Sequence, residues 1–236
     1  MIIAWCSVIA LRACARCVKL VGVSEIPDPW PLRHLVLRTP RLELRPDDDA
    51  GLLELAALAQ DGIHPPERMP FQVPWTDAPR VELGGNVLQY HWSVRATLKP
   101  SEWRLNFLVR MNGNVIGTQG LDAKDFAVTR QVSTGSWLGM RFQGKGIGTE
   151  MRAAVLLFAF DHLGAERAFS GAFTDNEASW RVSEKLGYRE EGVARIAVRG
   201  GLAIERRLIL DRERFRRPQW ILEVEGLESC LSLLSG

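Results

Sequence analysis

Three glycines at alternate positions, Gly144, Gly146 and Gly148, sit where a strand-like run gives way to a helical pattern. The residues before them predict a strand over Ser133–Met140, and those after predict a helix over Gly148–Leu163. Such a junction commits the chain to a strand–turn–helix unit with a glycine-rich turn. The first N–H groups of a helix have no intrahelical acceptor, and the helix dipole favours an anion there. Glycine removes the side chains that would hold a pyrophosphate off the backbone. Arg141 and Lys145 add positive charge beside the turn. Strict alternation does not match the dinucleotide-binding spacing G-x-G-x-x-G, and no Gly-Lys-Ser/Thr closes the run, so two common nucleotide loops are excluded.

With 46% hydrophobic and 25% charged residues, the 236-residue chain has enough apolar material for one sizeable core. A net charge of +2 gives no reason to expect nucleic acid as a partner. No apolar run has the length of a membrane span, so no membrane partner is expected. Four cysteines, three of them at positions 6, 14 and 17, do not form a disulfide framework or a complete structural zinc set. The expectation is a reduced, cytoplasmic protein without a metal. Residues 1–31 are set apart as an N-terminal extension or an over-extended start, because the first 23 are apolar and cysteine-rich and Pro27, Pro29 and Pro31 follow. The folded domain is expected over 32–216, and 217–236 is expected to be a tail or an extra strand, of a kind that often pairs with a partner subunit.

Alternation predicts strand on either side of Thr39-Pro40. Asp47–Asp49 predict a cap for a helix to about Gln60, and a second helix is expected near Val81–Leu98. Between them, His64–Pro79 is a proline-rich loop holding Met69, Phe71 and Trp75; long apolar loops are usually functional. Trp103–Met111 and Val115–Leu121 predict a hairpin through Asn112-Gly113-Asn114. A turn is expected at Lys124–Phe126. Further on, a strand over Ala168–Thr174, a short helix opened by Asn176 and closed at Gly187, and strands near Arg189–Val198 and Ile204–Leu210 complete the pattern.

Arg141-x-x-Gly144-x-Gly146, followed about 30 residues later by Asn176-x-x-Ser179 and Glu184-Lys185-Leu186-Gly187-Tyr188, resembles the coenzyme A signature of the GNAT family of N-acetyltransferases. Thr39–Arg45 resembles the opening strand of the subgroup that contains ribosomal-protein N-terminal alanine acetyltransferases and succinyl-CoA-using relatives. The resemblance spans about Leu35 to Phe215. It implies an α+β fold: a mixed, mostly antiparallel sheet splayed at a central parallel strand pair, with helices on both faces. It implies that Met140, Arg141, Gln143, Gly144, Lys145, Gly146, Ile147, Gly148 and Thr149 hold the pyrophosphate, and that Asn176 and Ser179 hold the pantetheine end. Backbone amides near Leu138, Gly139 and Met140 are implied as oxyanion donors, with Ser179 as acid or thiol-positioning group. Phe71, Trp75, His91 and Asp125 are candidates for the acceptor side.

The implied activity is transfer of acetyl from acetyl-CoA to a primary amine of a small molecule or a peptide N-terminus. An N-succinyltransferase using succinyl-CoA is the alternative, with His64, Arg68 and His91 as the cationic pocket. A non-catalytic acyl-CoA-binding domain is the rival from another class, since no carboxylate falls in Arg195–Arg199, where some members carry a glutamate. Glu205 and Asp125 remain as candidates to assist. Modification of an aminoglycoside would want a more acidic acceptor wall than Glu67 and Asp77 offer. A homodimer or higher homo-oligomer is among the assemblies considered.

Overall fold

The computed structural model describes residues 28–235. The first 27 residues, with Cys6, Cys14, Cys17 and most of the expected extension, lie outside the described part. Among the described residues, nine strands form one open sheet: β1 (Val36–Arg38), β2 (Glu43–Pro46), β3 (Glu102–Met111), β4 (Asn114–Lys124), β5 (Gln131–Leu138), β6 (Arg167–Phe173), β7 (Arg189–Val198), β8 (Gly201–Asp211) and β9 (Glu223–Glu225). Their spatial order is β7-β8-β6-β5-β4-β3-β2-β1-β9. Every neighbouring pair is antiparallel except β5–β6.

Strand periodicity sets the two cores. Along β3, Trp103, Leu105, Phe107 and Val109 enter one cluster, while Leu108 enters the other. Helices α1 (Asp49–Asp61) and α2 (Arg80–Thr97) cover one face through Leu52, Leu55, Leu83 and Val87, against Leu108 and Val115. The other face is covered by α4 (Ile147–Leu157), which packs Met151, Val155 and the following Phe158 onto Phe107 and Ile116, with α5 (Glu177–Leu186) beside it. The Asp48 carboxylate caps α1 by accepting from Gly51 N at 2.8 Å.

β5 and β6 pair at only three positions: Gln131 with Arg167, Val132 with Ala168, and Ser133 with Phe169. Beyond this point they separate, although β5 stays paired to β4 as far as Leu138 and β6 to β8 as far as Phe173. At the fork, hydroxyls stand in for ladder bonds. Thr134 Oγ1 donates to Phe169 O at 3.3 Å, and Ser170 Oγ donates to Thr134 O at 3.5 Å.

Several expectations are adjusted. The long helix after the glycines is α-helical only to Leu157; Phe158–Leu163 is a π-helical turn closed by Gly164 at φ 78°. The turn at Lys124–Phe126 carries a short helix, α3 (Phe126–Thr129), whose Phe126 is buried against Trp103. The C-terminal segment folds onto its own chain. Its β9 pairs with β1, and α6 (Leu231–Leu234) follows. Cys230 and Leu234 are fully buried, and Trp103 Nε1 donates to Leu234 O at 3.1 Å. Three strand residues are too few for alternation to be legible.

The tail is therefore part of the core. Leu234→Ala is expected to lower unfolding free energy by about 2–5 kcal/mol, whereas Ile221→Ala, at 86% exposed, should stay within about 0.5 kcal/mol. Urea denaturation of the two variants checks this; equal midpoints would remove the tail from the core.

Candidate active site

The glycine loop follows β5 at the open end of the fork. Gly144 and Gly146 adopt φ 73° and 76°, the left-handed region that glycine enters at low cost. Among the described residues, none of the backbone N–H groups from Gly144 to Thr149 has a protein acceptor. These amides and the start of α4 form a concave donor surface for an anion. Its frame is held from three sides. Gln143 Nε2 donates to Ile63 O at 2.7 Å and Leu138 O at 2.9 Å, tying the loop to the end of α1 and to β5. Lys145 Nζ donates to Arg141 O at 2.8 Å. Glu150, buried in the first turn of α4, accepts from Thr39 Oγ1 at 2.6 Å, Arg41 N at 3.2 Å and Arg41 Nε at 2.6 Å, and Arg41 also reaches Lys145 O. Arg141 lies over the Phe142 ring with most of its side chain in solvent.

The interior of the fork is polar. Successive N–H groups of an extended chain point to opposite edges. Gly139 N–H is bonded to Ile116 O on β4 at 3.0 Å, so Leu138 N–H turns toward β6. Met140 N–H is taken by Gly62 O at 3.2 Å. Of the three backbone donors expected from sequence, Leu138 is thus the one facing the gap. Asn176 Oδ1 caps α5 by accepting from Ser179 N at 3.3 Å, which leaves its Nδ2 as the outward donor. Ser179, half-buried, is in the first turn of α5, and its carbonyl accepts from Ser183 Oγ.

Arg152 carries no mark of a special role in the sequence. It lies beside the apolar stripe of α4, where α5 covers it. Its guanidinium donates to Ser183 Oγ at 2.7 Å and Ser136 Oγ at 3.3 Å, and its Nε has no partner. Burial pushes the Arg152 guanidinium below its ordinary pKa and the neighbouring Tyr188 phenol above its own. Gln119 Oε1, on the cross-strand partner of Ser136, and Trp180 Nε1 are also buried and unpaired. The open amides and these orphaned polar atoms fit a long ligand with an anionic head and a polar arm.

On the α1/α2 face, the proline-rich loop bridges the fork. Phe71 and Trp75 pack at a tilt with ring centroids 5.2 Å apart, and Trp75 meets Trp137 of β5 at 5.8 Å. Gln72 Nε2 donates to Glu205 Oε1 on β8 at 2.6 Å. Asp77 is bonded to Arg199 at the β7–β8 turn, and the guanidinium holds its carboxyl below the usual range. Gly171 allows Glu205 to lie across β6; a Cβ there would come within 2.5 Å of Glu205 Oε1. The two other acceptor candidates lie elsewhere. His91 is buried on α2 with Nδ1 bonded to Asp47 Oδ2 at 2.6 Å. Asp125 is exposed before the start of β5, a strand length of about 25 Å from the loop at ~3.3 Å per residue. Asp122, also unmarked in the sequence, lines a cavity of about 520 Å³ beside Ser133 and Phe169, and burial raises its carboxyl despite Arg104 at 3.1 Å.

The bracing carboxylate gives a direct test. Glu150→Ala strands the Thr39 and Arg41 donors and should cost about 1–3 kcal/mol in urea denaturation. It should also weaken binding of anions at the loop, measured by calorimetry with coenzyme A. Unchanged stability and affinity would show that this anchor does not shape the loop.

The acetyltransferase (GNAT) domain model matches residues 41–189. In Bacillus subtilis (strain 168), YdaF, which carries the provisional name ribosomal N-acetyltransferase, is 36% identical over 84 residues, 36% of this chain and 45% of YdaF. YjcK of the same organism, provisionally named an N-acetyltransferase, is 32% identical over 97 residues, 41% of this chain and 54% of YjcK. The matches thus span about half the length of these relatives. Mycobacterium smegmatis RimJ, solved in complex with CoA-disulfide, superposes with a TM-score of 0.62 at 17% identity, over 86% of this chain and 95% of RimJ. The forked sheet, the open amide loop and the family match over 41–189 agree, and the chain belongs to the GNAT acetyltransferase family.

Proposed function

We propose that this protein is an acyl-CoA-dependent N-acyltransferase that moves acetyl from acetyl-CoA to a primary amine, with a peptide or protein N-terminus as the favoured acceptor. The observation that carries the reading is the run of open amides from Gly144 to Thr149 at the mouth of the β5–β6 fork. Acetyl-CoA supplies an activated thioester with a thiol leaving group. Arg141, Lys145 and the amides of Gly144 to Thr149 bind the pyrophosphate, with Met140 and Gln143 framing that site. Asn176 Nδ2 and Ser179 orient the pantetheine end, and Leu138 N–H donates to the carbonyl oxygen as negative charge grows there. The Phe71–Trp75 roof over the fork excludes water and lines the acceptor path. Glu205 is the carboxylate assigned to the incoming ammonium and its proton.

Acetyl is favoured over succinyl because two of the three groups named for a succinyl carboxylate, the imidazoles of His64 and His91, are engaged, which leaves Arg68. His64 bonds Thr76 Oγ1 at 2.7 Å, and His91 bonds Asp47. The peptide acceptor draws support from the name of YdaF and from the aromatic roof.

Release of free CoA, measured with acetyl-CoA and succinyl-CoA side by side against peptide N-termini and small amines, tests the assignment. Faster turnover with acetyl-CoA and a peptide is expected, and Glu205→Gln should lower kcat/KM for the amine about 10²-fold. Binding of acetyl-CoA without transfer to any amine would overturn catalysis. Preferential use of succinyl-CoA would overturn the donor.

A further inference from the structure

Among the described residues, Arg152 is a buried cation with no carboxylate partner. It is 4% exposed, and its hydrogen-bonding partners are the hydroxyls of Ser136 on β5, at one rim of the gap, and Ser183 on α5, on the face that α4 and α5 cover. Its Nε remains buried and unpaired. A guanidinium in this state is costly unless an anion joins it. Among the described residues, none supplies one. β5 presents Thr134 and Ser136, and α5 presents Ser183. The titratable neighbour is Tyr188, bonded to Thr134 Oγ1, and burial pushes its phenol pKa up.

The position within the gap selects the anion. The amides from Gly144 to Thr149 take phosphate at the loop end. Ser136 is two residues before Leu138 on the same edge of β5, and Ser183 Oγ reaches back to Ser179 O. Arg152 is therefore tied to the thioester end, where the anion formed is a sulfur.

We propose that Arg152 is a positioning and charge-stabilising residue for the coenzyme A thiolate, acting through the Ser136 and Ser183 hydroxyls it holds. This rests on the acyl-CoA reading above. In the transfer step the amine nitrogen forms a bond to the carbonyl carbon, the C–S bond breaks with its electron pair on sulfur, and the amine's extra proton leaves through Glu205 or water. The fixed cation lets sulfur depart as thiolate, which is protonated afterwards from solvent. Arg152 is preorganised for this because its serine bonds already hold it in place.

The test is the thiol pKa of bound coenzyme A, read from thiolate ultraviolet absorbance and from the pH dependence of affinity, with desulfo-CoA as control. Free coenzyme A titrated in the same buffer gives the reference value. In the wild type the bound thiol should titrate at least about one unit lower, so affinity for CoA should rise about tenfold or more across that interval while desulfo-CoA affinity stays flat. Arg152→Met should abolish the rise and leave desulfo-CoA binding within about twofold, and Arg152→Lys should restore part of it. Replacing a buried Arg by Met of similar volume is compatible with folding, and the wild-type measurement is decisive without any variant. An undepressed thiol in the wild type, or an equal depression in Arg152→Met, would overturn the proposal while leaving the acyl-CoA reading intact. Failure of CoA and desulfo-CoA alike to bind would instead remove the acyl-CoA reading and this inference with it.

Discussion

The early end of the parallel pairing between β5 and β6 is the constraint on which the site depends. A sheet interior normally satisfies its backbone groups strand to strand. Here two central strands part after Ser133 and Phe169, and each remains anchored on its other edge. The edges so exposed are tolerated because the lost bonds are partly replaced by Thr134 and Ser170 hydroxyls. Leu138 N–H is among the backbone groups left facing the gap. Every functional element is placed relative to this fork: the loop at its mouth, α4 and α5 on one face, and the proline-rich roof on the other.

Ionic and amide braces keep the fork's rims in register. Glu150 joins the β1–β2 turn to the first turn of α4, and Gln143 joins the loop to β5 and to the end of α1. On the acceptor face, Asp77–Arg199 and Gln72–Glu205 fasten the roof to β8 and its hairpin turn. The exposed pairs add little stability individually. Their effect is geometric, since each ties a segment on one side of the fork to a strand on the other. The buried Glu150 has more consequence, because its loss leaves several donors unsatisfied.

Much of the fold was legible where one physical signal dominated. The Asn112-Gly113 turn, the alternation in β3, and the glycine closing α5 each depend on local chemistry, and the observed elements fall within a few residues of expectation. The loop was legible because positive φ at two alternating positions demands glycine. What could not be read depends on tertiary neighbours. Arg152 lies just off the apolar stripe of α4 and becomes buried only because α5 covers it. Asn176 looks the same in sequence whether it caps a helix or meets a ligand, and only the fold shows that its Oδ1 caps α5. His91 carries no local mark that Asp47 will engage it. The pairing of β9 with β1 rests on three residues, below the length at which alternation carries information.

The central claim is that the open amides and the β5–β6 fork form one continuous binding surface. Amide chemical-shift mapping on titration with coenzyme A tests it most directly. The account predicts the largest changes at Gly144 to Thr149, extending inward to Leu138, Ser136 and Ser179, with Asp125 at the far end of β5 unmoved. Saturable binding with changes confined to another surface, such as the cavity around Asp122, or changes at the loop alone that never reach Ser136 and Leu138, would contradict it.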